Sequence, residues 1–257
     1  MRRDPRRRGA LTRHALATVH GWIVYDWEVM EREFTRALAL NPNAALTHVY
    51  YGLTLATMGR AADAEHEVEQ AVALDPISVL NVNLVSLVYL ILRRYERGIE
   101  EAEKALAPDP DFAPASWSLS LSLSQVGRHE EAIAAAERAV ALSHRAPFCV
   151  TNLGRALGLG GRIPEARRLL GELQERSRRE SVAPWSIALL LVVTGELDAA
   201  FSVFEKALAE DCAGLVFNLS TPAWDPLRGD PRFTAILRAV GYKGQYLLSV
   251  GAPPTPA

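Results

Sequence analysis

Two histidines in this chain stand beside carboxylates in a way that invites metal chemistry. In His66-Glu-Val-Glu-Gln and in His129-Glu-Glu-Ala an imidazole opens the stretch, but a zinc site on one helix face needs a second imidazole one turn later, and neither stretch supplies it. Both are expected as solvated positions of a second helix. Gly158-Leu-Gly-Gly-Arg imitates part of a phosphate loop, yet no strand leads into it, and Gly161 belongs to a periodic turn. Gly154-Arg-Ala-Leu-Gly holds no serine between its glycines, so it cannot form a nucleophile elbow. The paired carboxylates Glu100-Glu101 and Glu130-Glu131 fall where second helices begin, and there they complement the helix dipole. Cys149 and Cys212 have no paired spacing, which argues against a disulfide framework or a thiolate metal site and makes a reducing cytoplasm the expected setting. No catalytic residue, metal ligand or cofactor site emerges.

The elements that carry these residues explain why. Ala37, Ala71, Ala105, Ala139 and Ala207 recur at one phase of a 34-residue period that only Leu173 breaks. Ala64, Ala132, Ala166 and Ala200 hold a second phase, with Met30 and Gly98 in its other places. A third is small throughout: Thr18, Gly52, Ser86, Ser120, Gly154 and Ala188. Small side chains at fixed phases permit the roughly 8–10 Å approach of closely packed helices. Gly59, Gly127, Gly161 and Gly195 share a phase, as do Pro42, Pro76 and Pro110. Each unit therefore predicts a helix, a glycine turn, a helix and a proline stop.

The pattern resembles the tetratricopeptide repeat, which asks for small residues at its eighth, twentieth and twenty-seventh places and proline at its thirty-second. Six repeats follow without insertion, over 11–44, 45–78, 79–112, 113–146, 147–180 and 181–214, covering 204 of the 257 residues. The departures are Tyr25 and Arg93 in place of the turn glycine, and His144, Arg178 and Cys212 in place of proline. Those joints are expected to be looser or differently angled. The resemblance implies an all-α, right-handed superhelix with an arginine-rich segment, 1–10, ahead of it. After Gly214 the register stops, and Asp230-Pro231 opens an amphipathic helix carrying Phe233, Ile236, Leu237 and Val240. Residues 215–241 are expected to be a helical cap and 242–257 a flexible tail.

With 49% hydrophobic and 23% charged residues the chain can bury a core. Its formal charge of −2 hides +4 in residues 1–10 and −6 elsewhere, so the acidic body does not suit nucleic acid. No uninterrupted apolar stretch follows the arginines before Arg13, which argues against an export signal. The apolar runs Val79–Leu92 and Ile187–Val193 are shorter than the roughly 20 residues of a membrane span.

By the same resemblance the first helix of each repeat lines a concave groove through its second, fifth, sixth, ninth and twelfth places. These are Leu46, Val49, Tyr50 and Leu53, then Leu80, Asn83, Leu84, Leu87 and Leu90. The second half supplies Trp117, Leu121, Phe148, Thr151, Asn152, Arg155, Trp185 and Leu189. Aromatic and arginine side chains in a concavity anchor protein interfaces. Only Asn83, Asn152 and Arg155 could grip a carboxylate, so an apolar peptide or amphipathic helix is the expected ligand. Trp224-Asp-Pro-Leu-Arg-Gly-Asp-Pro-Arg-Phe looks like the close of tetratricopeptide regions in bacterial regulators that carry a kinase, adenylate-cyclase or winged-helix domain. The reading is a non-catalytic protein-binding scaffold, with a self-associating module or a fragment of such a regulator as alternatives.

Overall fold

The computed structural model describes residues 5–209 and 215–242. Cys212, the end of the sixth repeat and all of the expected tail beyond Tyr242 lie outside them. Among the described residues the secondary structure is entirely helical. Six antiparallel pairs follow one another: α1 (Pro5–Val19) with α2 (Trp27–Leu40), α3 (Ala45–Thr57) with α4 (Ala61–Leu74), and α5 (Val79–Ile91) with α6 (Tyr95–Leu106). Then come α7 (Ala113–Gln125) with α8 (His129–Leu142), α9 (Pro147–Leu159) with α10 (Ile163–Arg176), and α11 (Pro184–Val193) with α12 (Leu197–Ala209). α13 (Leu215–Ser220), a 3-10 turn (Pro222–Leu227) and α14 (Pro231–Ala239) are the last of the described elements. From α3 to α11 each first helix also packs on the first helix of the next repeat, which builds the superhelix.

The periodic alanines are contacts between helices. Ala64, Ala132, Ala166 and Ala200 have no exposed surface, and neither do Ala37, Ala71, Ala139 and Ala207. A methyl added at Gly154 would meet Leu190 Cδ2 of the next first helix at 2.7 Å, so that crossing is set by the absence of a side chain. α1 begins at Pro5, inside the arginine-rich segment, and a single π turn, His20–Val24, prolongs it.

The glycine turns are left-handed, with φ of 77° at Gly59, 76° at Gly127, 79° at Gly161 and 86° at Gly195. Each lets the next amide reach back to close the helix, as Arg60 N does on Leu55 O at 2.9 Å. The two departures from glycine do not loosen their joints. Arg93 takes φ 59° and Tyr25 φ 60°, and Arg94 N still donates to Tyr89 O at 2.8 Å. At Tyr25 the π turn changes the closure, with Asp26 N donating to His20 O at 2.9 Å. A side chain in this region costs of order 1 kcal/mol, so both corners are held there by their surroundings.

Candidate functional site

The first helices place the sequence-predicted groove residues on two levels. The outer level is the second place of the repeat: Leu46, Leu80 and Phe148 are 39%, 45% and 41% exposed, a row of apolar side chains at the starts of α3, α5 and α9. Trp117 stands half-buried beside it, its ring edge-on to Phe148 at 5.9 Å. Tyr50 is half-buried and packs on His14 and Trp22 of the first repeat at 5.1 and 5.8 Å. Trp185 is also half-buried, against the C-terminal core.

The inner level is closed. Val49, Leu53, Leu84, Leu87, Leu90, Leu121 and Leu189 are all buried. The amides serve neighbouring repeats: Asn83 Oδ1 accepts from Ser118 Oγ at 2.7 Å, and Asn152 Nδ2 donates to the Trp117 carbonyl at 3.4 Å. Thr151 is turned to its own helix, donating to Pro147 O at 2.9 Å. Arg155 is 1% exposed, and its Nε and Nη1 have no acceptor. Burial pushes its guanidinium down to about 10, with the Tyr95 hydroxyl and then Asp225 acting the other way.

Leu189 shares its cluster with Leu219, Trp224 and Leu227 of the chain's own C-terminal stretch, which sequence reasoning assigned only to the sixth repeat. α14 does pack on α12, and the Trp224 ring lies 4.7 Å from Phe204. The 3-10 turn, however, packs on α11, while α13 reaches back to α3 and the first-repeat π turn. Arg93, at the joint between α5 and α6, donates through Nη1 and Nη2 to the two oxygens of Asp225, both at 2.7 Å. Arg228 adds a bond from Nε to Asp225 Oδ1 at 2.6 Å and another from Nη2 to Thr221 O at 3.1 Å. Tyr242 packs its ring on Trp27 at 5.5 Å. Gly241, at φ 92°, leaves no room for a Cβ, which would stand 2.7 Å from Trp27 Nε1 and 3.1 Å from the Tyr25 carbonyl. A cavity of 480 Å³ remains at this junction, lined by Asp26, Glu28, Glu31 and Met58 among others.

His48 is a second polar residue that the sequence did not single out. Its Nδ1 meets Glu67 Oε2 at 2.7 Å and its Nε2 the Pro42 carbonyl at 2.8 Å, tying α3 to α4 and to the preceding turn. Burial alone would lower its pKa, but the Glu67 carboxylate and the Pro42 carbonyl outweigh it and raise the value above 6.5. Of the histidines weighed for metal, His66 is exposed and His129 half-buried. Among the described residues no three His, Cys, Asp or Glu side chains gather as metal ligands, and no helix is long and apolar enough to cross a membrane. Cys149 is free and buried.

Residues 87–147 match the family model of the tetratricopeptide repeat. The fold is the tetratricopeptide repeat solenoid. Among solved structures it is similar to PilW, a type IV pilus biogenesis factor, at TM-score 0.60 and 19% identity over 78% of this chain and 92% of that one. Against pilF of Pseudomonas aeruginosa the TM-score is 0.57 at 17% identity, over 84% and 97% of the two chains. A tetratricopeptide repeat protein from Parabacteroides merdae gives 0.57 at 13%, over 96% and 98%. At these identities the likeness is one of fold. No curated protein sequence matches the chain. Solenoids of this kind present extended concave surfaces for binding other macromolecules.

Proposed function

We propose that the protein is a non-catalytic scaffold that takes a peptide or helix of a partner protein along its concave side. The observation that carries this reading is the outer row: Leu46, Leu80 and Phe148 repeat one exposed apolar side chain at the same place of three repeats, with Trp117 beside the last. Exposed apolar groups in register suit an amphipathic helix whose anchors are similarly spaced. A regulatory setting in the bacterial cytoplasm, of the kind that the C-terminal run resembles, belongs to the same reading.

Affinity purification with the wild type and with Trp117→Ala, Phe148→Ala and Leu80→Asp variants, followed by titration of any identified partner, tests it. At least one variant should weaken that partner about thirtyfold, or about 2 kcal/mol, while the helical spectrum is unchanged. Equal recovery by all the variants would move the interface off this row.

A further inference from the structure

The occupant of a groove reports the chemistry that the groove accepts. Here the occupant is the stretch from α13 through Tyr242. It buries Leu219, Trp224 and Leu227 and delivers the Asp225 carboxylate to Arg93. The repeat positions that receive it are unusual. Tyr25 and Arg93 are the two residues of the turn phase that are not glycine, and both are held left-handed. The stretch touches down on both, at the Tyr25 carbonyl through Gly241 and at the Arg93 guanidinium through Asp225. His144 and Arg145, at the close of the fourth repeat, are also left-handed, so what sets Tyr25 and Arg93 apart is that the C-terminal stretch meets both of them.

The seated state also carries an internal cost. Two guanidinium groups, those of Arg93 and Arg228, share the single carboxylate of Asp225, whose charge also acts on the buried guanidinium of Arg155. Arg155 Nε and Nη1 and Arg228 Nη1 are left without acceptors in the interior. Buried donors that lose water and gain no partner oppose the arrangement that buries them. A ligand with a further acceptor would relieve what Asp225 leaves unsatisfied.

We propose that the inner concave face is a binding surface for a peptide segment presenting a carboxylate beside a large aromatic ring, and that residues 215–242 hold this surface in competition with such a partner. Arg93 is the carboxylate's seat and Arg155 the free donor that a partner's additional acceptor satisfies. The inference rests on the scaffold reading above and adds to its outer row a second, inner surface with a ligand chemistry of its own.

The test uses the full chain and a fluorescent peptide of residues 215–230, with anisotropy for binding and hydrogen exchange for release of the internal stretch. Asp225→Asn in the protein weakens the internal contact and leaves Arg93 intact, so the peptide should bind at least tenfold tighter than to wild type. Arg93→Met should raise exchange in residues 219–227 as much as Asp225→Asn does, yet gain no affinity for the peptide. The peptide carrying Asp225→Asn should lose the gain on the Asp225→Asn protein. Raised exchange in both variants with equal peptide binding would overturn Arg93 as the seat. Exchange unchanged in both would show that the stretch is a fixed part of the fold and would overturn the competition. Neither failure touches the outer-row variants, which test the scaffold reading separately.

Discussion

Replacing Arg93 with glycine sets two lines of reasoning against each other. Glycine is what this turn carries in four of the other repeats, and restoring it relieves about 1 kcal/mol of left-handed strain. Part of that relief is offset by the greater freedom of glycine in the unfolded chain. The substitution also removes two charge-assisted hydrogen bonds to Asp225. Because the Arg93 side chain is 33% exposed, each belongs near the lower end of the range for such bonds, about 1.5 kcal/mol. The loss of about 3 kcal/mol exceeds the relief, so Arg93→Gly should destabilise the protein by about 2 kcal/mol. For a slope of about 2–3 kcal/mol/M the urea midpoint should fall by roughly 0.5–1 M. A double-mutant cycle with Asp225→Asn isolates the pair, and its coupling should be about 2 kcal/mol. A higher midpoint for Arg93→Gly, or a coupling below about 0.5 kcal/mol, would refute the claim that this corner is kept for its contact with the C-terminal stretch.

Two further outcomes follow from the packing and the charge. Ala132→Leu and Ala166→Leu insert bulk where no surface is exposed and should each cost about 1–3 kcal/mol in urea unfolding, while exposed Glu100→Gln should stay within about 0.5 kcal/mol; equal effects would mean that the repeat phase is misplaced. The His48 pKa is raised in the folded state, so its contribution to stability is full below the unfolded value of about 6.5 and is lost as pH rises through the folded value. Thermal unfolding between about pH 5.5 and 8 should show that decline, and His48→Gln should flatten it; a profile identical to wild type would remove His48 from the account.

The 34-residue recurrence of small residues, glycines and prolines determined the helices, their pairing and the stacking of one pair on the next. This was legible because helix pairing is local: Ala132 and the residues that it meets lie within a repeat of each other, and spacing alone puts them on facing surfaces. The expectation of a concave groove at the second places came from the resemblance and not from spacing; the structure shows Leu46, Leu80 and Phe148 exposed. What the spacing could not express is the approach of residues distant in the chain. Arg93 and Asp225 are 132 positions apart, and they meet because the C-terminal stretch runs back to the first three repeats. The inner places that spacing leaves open to a partner are buried among neighbouring repeats, and Arg155 is buried with them. The one local trace of it was the pair of side chains, Tyr25 and Arg93, standing where a turn asks for glycine; the sequence marked these as exceptions, and only the tertiary contact supplied the force that holds them there.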